Sequence, residues 1–235
     1  MKFALLLAFT VAVGALTQDQ IVPPKVACGD EVPDDGFEIL GGQEAPEESS
    51  TVMLLGPRSH PMVRPIMGTH YSTGFADGEL TTVTQEIKHP NGIDVRIIIL
   101  DRNITTIQPV VRVLFSVVRA DVLTWVRGWG YVRRGGPQSR VLKVLSVTTW
   151  SYARASAALF PRRVTDMMLG VGGEKGEDSC GGDLGGPLTI EINGVVRLVG
   201  VASWGGECGL LDKPGVHARV STARAFIAPY STCRR

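Results

Sequence analysis

The residues with chemistry to offer are few and clustered. Positions 178 to 188 read Asp178-Ser179-Cys180-Gly181-Gly182-Asp183-Leu184-Gly185-Gly186-Pro187-Leu188. Two carboxylates, a hydroxyl and a thiol share this stretch with four glycines. Glycine lets a backbone turn so that its N–H groups aim at one point, the arrangement that stabilises a developing oxyanion. A nucleophile working there needs a hydroxyl or thiolate with a base in hydrogen-bond reach. Leu184, near the centre of the stretch, has no nucleophilic atom and no proton to give up. A third carboxylate, Asp94, stands at the head of Asp94-Val95-Arg96-Ile97-Ile98-Ile99-Leu100. The candidate bases are His60, which precedes Pro61, His89, which precedes Pro90, and His70 in Gly68-Thr69-His70-Tyr71. Each reads as a surface or turn histidine. The four cysteines, Cys28, Cys180, Cys208 and Cys233, are an even count, which in a secreted chain suggests two disulfides with three pairings open. Asn103-Ile104-Thr105 is an N-glycosylation acceptor sequence, which would put Asn103 on an exposed loop.

The elements that position these residues read as strands. A basic start at Met1-Lys2, the apolar run Phe3 to Val13 and the small residues Val13-Gly14-Ala15 form a secretory signal peptide, residues 1–15. The run is too short for a membrane anchor, which needs about 20 apolar residues. Residues 16–38, rich in Pro, Asp and Glu, read as a pro-segment, and residues 39–235 as the folded domain. A secreted, extracellular protein is expected. The net charge of +1 points to no nucleic acid and no anionic membrane. The pairs Arg133-Arg134, Arg162-Arg163 and Arg234-Arg235 read as solvated loop or tail charge. Val110–Val118, Val141–Val147 and Val195–Val201 are dense in branched apolar residues, as strands are. Asn193-Gly194 between Leu188–Ile192 and Val195–Ser203 predicts a hairpin. Long helical periods are absent; a short helix is expected at the end, capped by Ser221 or Thr222, running through Ile227 and stopped by Pro229. The pattern is all-β, hence a sandwich or barrel.

The stretch 178–188 resembles the D-S-C-x-G-D-S-G-G-P-L signature of the trypsin/chymotrypsin-like serine-protease family at every fixed place except Leu184, where the family has its nucleophilic serine. Further matches follow in family order. Ile39-Leu40-Gly41-Gly42 resembles I-V-G-G, Asp94–Leu100 resembles the segment carrying the triad aspartate, and Gly128-Trp129-Gly130 resembles G-W-G. Ser203-Trp204-Gly205 with Cys208 resembles S-W-G-x-x-C, and Pro214-Gly215-Val216-His217 resembles P-G-V-Y.

The resemblance implies a trypsin-like double antiparallel β-barrel with a short C-terminal helix. It also implies an oxyanion hole from the backbone of Gly182 and Leu184, and a pocket of Asp178, Ser203, Trp204, Gly205 and Gly215. It pairs Cys180 with Cys208, leaving Cys28 with Cys233, and marks Ala155 and Gly170 as places where a bridged cysteine pair is missing. No cofactor and no metal are implied.

The pattern breaks in three places. Leu184 replaces the serine. The A-A-H-C segment with the histidine base is absent, and the chain between Ile39 and Asp94 is shorter than the family pattern by roughly 25–30 residues, so the first barrel is expected to be truncated. Glu38 precedes Ile39, so a trypsin-like activator would not free the amine that partners the aspartate at Asp183. Gly68-Thr69-His70-Tyr71 with Asp77-Gly78-Glu79 is similar to glucanase inhibitor proteins, secreted inactive members of the family that bind host hydrolases. The expected function is that of an inactive homologue binding a protein partner (a peptide, a protease or a secreted hydrolase) as a monomer. Two readings stay open beside it: a trypsin-like endopeptidase with a non-standard site, and an incompletely assembled version of one.

Overall fold

The computed structural model describes residues 5–7, 42–45, 53–54, 65–73, 77–105, 112–113, 115–132, 135–179 and 181–230. The pro-segment, Ile39, His60, Cys28, Cys180 and Cys233 lie outside the described residues. In chain order the strands are β1 (Leu5–Leu7), β2 (Gln43–Glu44), β3 (Met53–Leu54), β4 (Ile66–Met67), β5 (Glu79–Leu80), β6 (Val83–Lys88) and β7 (Arg96–Leu100). They continue with β8 (Arg112–Val113), β9 (Leu123–Gly128), β10 (Lys143–Thr148), β11 (Met168–Val171), β12 (Pro187–Ile192), β13 (Val195–Trp204) and β14 (Gly215–Arg219). A helix α1 (Tyr152–Leu159) separates β10 from β11, and α2 (Arg224–Ile227) follows β14.

The C-terminal half is one sheet in the order β11-β14-β13-β12-β9-β10, with β2 added beyond β10. It curls on itself: Thr149 bridges Val171 antiparallel, Gly172 N–H donates to Thr148 O at 3.0 Å, and Trp150 N–H to Gly170 O at 2.8 Å. Closure removes the open edges that make a lone sheet sticky. The interior is Val126, Leu145, Val147, Leu169, Val171, Leu188 and Val199, and the alternation buried–exposed along β10 shows the period of two that strands require. The Asn193-Gly194 hairpin is as expected: φ is 52° and 71°, both left-handed, as a type I′ turn needs, and Ile192 pairs with Val195.

The N-terminal half is smaller. Two three-stranded sheets form, β1-β7-β6 and β3-β4-β5, and the strands of the second are two residues long. Among the described residues these are the strands that precede the C-terminal sheet. β1 lies inside the leader expected from the sequence and pairs with β7 in the register Leu5↔Ile99.

Three local expectations need correction. Among the described residues of the run Val110–Val118, Arg112–Val113 alone is strand, and it pairs parallel with β13. The terminal helix is a 3-10 turn (Val220–Ala223), then α2, then another 3-10 turn (Ala228–Tyr230) that runs through Pro229; no side chain caps it, because Thr222 Oγ1 donates to Arg219 O instead. Burial holds this segment in place, with Ile227 0% exposed in a cluster with Val95, Leu198, Val201 and Val220. Helix α1 was not foreseen. Its signals are local: Ser151 accepts from Arg154 N–H at 3.2 Å as N-cap, and alanine, the best helix former, supplies four of eight residues in Tyr-Ala-Arg-Ala-Ser-Ala-Ala-Leu. Only Ala155 and Leu159 are buried, too few to draw an amphipathic stripe.

α1 also places the missing cysteine pair. A Cβ built on Gly170 would stand 2.9 Å from Ala155 Cβ, with Ala155 1% exposed. The two positions face each other, and small residues fill the space. A disulfide there needs its Cβ atoms about 3.5 Å apart or more, a small separation of the two elements. The double variant Ala155→Cys, Gly170→Cys should therefore oxidise to an internal cross-link, stabilising by up to about 3 kcal/mol for a loop of this length. Non-reducing peptide mapping and chemical denaturation check it; persistent free thiols at both positions would contradict the packing.

Candidate functional site

Asp183 is the centre of the site's frame. It is 3% exposed and its Oδ1 accepts Gly130 N–H at 2.8 Å. A Cβ on either Gly128 or Gly130 would overlap the carboxylate oxygens, so glycine is required at both. Trp129, between them, is 4% exposed beside Ala45 and Leu142, and its Nε1–H donates to His70 O at 3.0 Å. The N-terminal half thus sets the position of the loop that cages Asp183. Gly130 N–H is thus one donor to this buried carboxylate.

Next along the chain, Gly181 O accepts Tyr131 N–H at 2.8 Å. A trans peptide sends its C=O and N–H in opposite directions, so Gly182 N–H points away from Tyr131. Gly182 has φ 103°, and a Cβ there would meet Gln138 Nε2 at 2.6 Å and Gly130 Cα at 3.1 Å. Leu184 follows, 38% exposed. Gly185 N–H donates to Ala202 O at 2.7 Å and Ala202 N–H to Gly186 O at 2.9 Å, which docks the loop on β13.

Asp94 meets this region from the other half. Ser203 Oγ donates to Asp94 Oδ2 at 2.7 Å. Val95, 2% exposed, packs with Leu198, Val201 and Ile227, and this pins Asp94 beside the end of β13. Among the described residues no histidine reaches Asp94. His89 Nδ1 accepts Asn91 N–H at 3.2 Å, and its ring packs on Phe226 at 4.9 Å. His70 is 4% exposed with Nε2 2.8 Å from Glu44 Oε1.

The pocket residues also converge. Asp178 is 7% exposed; its Oδ2 accepts Gly209 N–H at 3.2 Å. A Cβ on Gly215 would lie 3.2 Å from Asp178 Oδ1 and 3.4 Å from Ser179 Oγ, so Ser179 faces the floor and not the place of Leu184. A Cβ on Gly205 would have Gly215 Cα as its nearest neighbour at 4.0 Å, two glycine walls facing each other. Cys208 is disulfide-bonded. Asn103 is exposed.

Two buried groups titrate abnormally. Burial, helped by the nearby Asp183 charge and opposed by hydrogen bonds from Gly209 and Ser179, pushes Asp178 up to about 7. His217 on β14 is 1% exposed, pairs in register with Leu169, whose side chain is in the barrel interior, and has no hydrogen-bond partner on either ring nitrogen. Burial pushes it down to about 4, so it stays neutral. Two site residues escaped the sequence reading. In the sequence His217 marks only a variant of P-G-V-Y. Arg162 was read as solvated charge, yet its Nη1 donates to Gly205 O at 2.6 Å and its guanidinium lies 5.8 Å from the Trp204 ring centroid. No local sequence signal ties Arg162 to Gly205, 43 residues away.

The raised Asp178 favours the folded state at low pH, and that contribution is lost as pH rises from about 4 to about 7. The lowered His217 acts oppositely: its contribution is present above about 6.5 and lost as pH falls toward about 4. The two slopes oppose one another in the shared window. Asp178→Asn should therefore lose more stability than the unmodified chain on going from pH 6.5 to 4.5, and His217→Phe less; urea denaturation across that range measures both. Gly130→Ala should destabilise by about 1–3 kcal/mol through overlap with Asp183, and equal midpoints would refute the caging.

The sequence profile of the Trypsin family matches residues 60–227. Trypsin, alkaline C, of Manduca sexta is 46% identical over 110 residues, 45% of this chain and 41% of that one. Trypsin, alkaline A, of the same organism is 50% identical over 103 residues, 42% of this chain and 39% of that one. Glucanase inhibitor protein 3 of Phytophthora infestans is 36% identical over 177 residues, 68% of this chain and 65% of that one. The chain spans about two-fifths of the length of these trypsins. Among the described residues no helix is long and apolar enough to cross a membrane. Profile, ordered motifs and barrel agree: this chain belongs to the trypsin family of serine proteases.

Proposed function

We propose that the chain is a secreted serine-protease homologue that binds a protein partner and does not cut it. Leu184 carries this reading. It stands, 38% exposed, where the family needs a hydroxyl, inside a loop otherwise braced as a catalytic loop would be. The mechanism needs a serine to attack, a histidine to take its proton and an aspartate to orient the histidine. Asp94 is held in place by Ser203 but has no imidazole to orient among the described residues. Gly182 and Leu184 supply the backbone N–H groups of a remnant oxyanion hole, Asp178 the floor of a remnant pocket, and Ser203, Trp204, Gly205 and Gly215 its walls. Ile39 and Asp183 are the remnant activation pair, Cys180 is the partner of Cys208, and Asn103 is a glycan site. The inhibitor from Phytophthora infestans, matched over more of this chain than the trypsins are, supports a protein partner such as a secreted hydrolase.

The competing reading is a trypsin-like endopeptidase, favoured by the buried acid Asp178 at the pocket floor and by the identity to the trypsins. One assay separates the two. Purified protein should neither hydrolyse Arg/Lys esters and peptides nor be labelled by fluorophosphonates. In a protease with a complete triad, losing the serine or the histidine alone costs about 10⁶-fold in turnover. Leu184→Ser should stay silent as well, for want of a base. Labelling of the unmodified chain would sink the binding reading; turnover by Leu184→Ser would show that a histidine does serve.

A further inference from the structure

We propose that Asn91 is a self-modification site. The main-chain nitrogen of Gly92 attacks the Asn91 side-chain amide, ammonia leaves, and water opens the resulting succinimide to aspartate or isoaspartate. The reaction takes water as its one co-reactant and is independent of whether the chain binds or cuts.

Asparagine followed by glycine occurs at Asn91-Gly92 and again at Asn193-Gly194. Glycine leaves the attacking nitrogen uncrowded in both: a Cβ built on Gly92 or on Gly194 would meet nothing within 4 Å. The backbone separates the two sites. Asn193 is left-handed at φ 52°, between the paired residues Ile192 and Val195. Ring closure brings the Gly194 nitrogen onto the Asn193 side chain by rotation about the Asn193 Cα–C bond. That rotation takes the residue out of the conformation its type I′ turn requires, so the hairpin must open before it reacts. Asn91 carries no such restraint. It is exposed, it is not left-handed, and it lies in the turn between β6 and β7. The turn is tied at its ends, by His89 N–H to Val95 O at 3.0 Å and by Val95 N–H to Ile93 O at 2.7 Å. Asn91 N–H donates to His89 Nδ1 at 3.2 Å. Among the described residues neither the Asn91 side-chain amide nor Gly92 N–H has a hydrogen-bond partner, so both reacting groups are free.

The Gly92 nitrogen forms its bond to Asn91 Cγ and gives up its proton as the Cγ–Nδ2 bond breaks, and that proton leaves with the amide nitrogen as ammonia. Water then cleaves one of the two ring bonds to the Gly92 nitrogen. Cleavage at Cγ leaves aspartate in a normal main chain. Cleavage at the main-chain carbonyl leaves isoaspartate, with the chain routed through the side chain and longer by one atom. Either product puts a new carboxylate in the turn that leads to Asp94, whose Oδ2 accepts the Ser203 hydroxyl at 2.7 Å. Asn103 precedes Ile104, whose branched side chain crowds the nitrogen that would attack, and serves as an internal reference.

The test ages the full folded chain at mildly alkaline pH and samples it by peptide mapping after digestion beside Lys and Arg. The peptides His89–Arg96 and Gly176–Arg197 report the two sites. Amide-to-acid conversion at Asn91 should run about tenfold or more ahead of Asn193, the factor expected when one site must first release an ordered backbone residue. Carboxyl methylation by a protein-isoaspartate methyltransferase should label the aged His89–Arg96 peptide. In urea, where neither turn persists, the two rates should converge. Gly92→Ala should slow conversion at Asn91, because the added methyl crowds the attacking nitrogen while meeting nothing else in the fold. Equal rates at the two sites in the folded chain, or an Asn91 that reacts only in urea, overturns the proposal. An unchanged rate in Gly92→Ala overturns the attack by that nitrogen.

Discussion

The caging of Asp183 is the constraint on which the site depends. A buried carboxylate is costly unless donors surround it, and here one donor is Gly130 N–H, on a segment with glycine on both sides of a buried tryptophan. Trp129 is fixed in turn by the His70 carbonyl. One chain of contacts therefore runs from the small N-terminal sheets through Trp129 to Asp183 and on to Gly182 and Leu184. The loop's shape therefore depends on contacts from both halves of the chain.

The same economy of long-range contacts places Asp94. Its carboxylate is exposed, but the residue beside it, Val95, is buried among residues of β13, β14 and the terminal helix. Packing sets the position and the Ser203 hydroxyl sets the orientation. Asp94 is thus held by residues far from it in sequence. The guanidinium of Arg162 on Gly205 O ties the turn after α1 to the residue that follows β13.

Two buried polar groups show where the interior is under tension. Asp178 lies against Gly215 and Ser179, and His217 stands on the barrel side of β14 with both ring nitrogens unpartnered. Desolvation favours the neutral form of each. They move stability in opposite directions with pH, so either one alone would make the fold pH-sensitive. Ala155 and Gly170 show the opposite case, two small residues that face each other and leave no orphan polar group.

The sequence by itself determined the family frame. Glycines at 128, 130 and 182 answer steric demands that a Cβ would violate, and such demands leave a readable spacing. The hairpin at Asn193-Gly194 was legible because its turn needs two left-handed residues in a row. The facing of Ala155 and Gly170 was legible from the motif places alone. What the sequence left undetermined was everything that depends on distant neighbours. Helix α1 buries only two side chains and so leaves no periodic trace. The terminal helical turn is held by Ile227 in a cluster drawn from four parts of the chain, and local capping rules missed its real course. The partnerships of Arg162 with Gly205 and of Ser203 with Asp94 join residues 43 and 109 positions apart. A side chain in a polar turn reads as solvated charge until the fold brings an acceptor to it. Composition and spacing record what the backbone itself demands, whereas only the closed barrel decides which side chains meet.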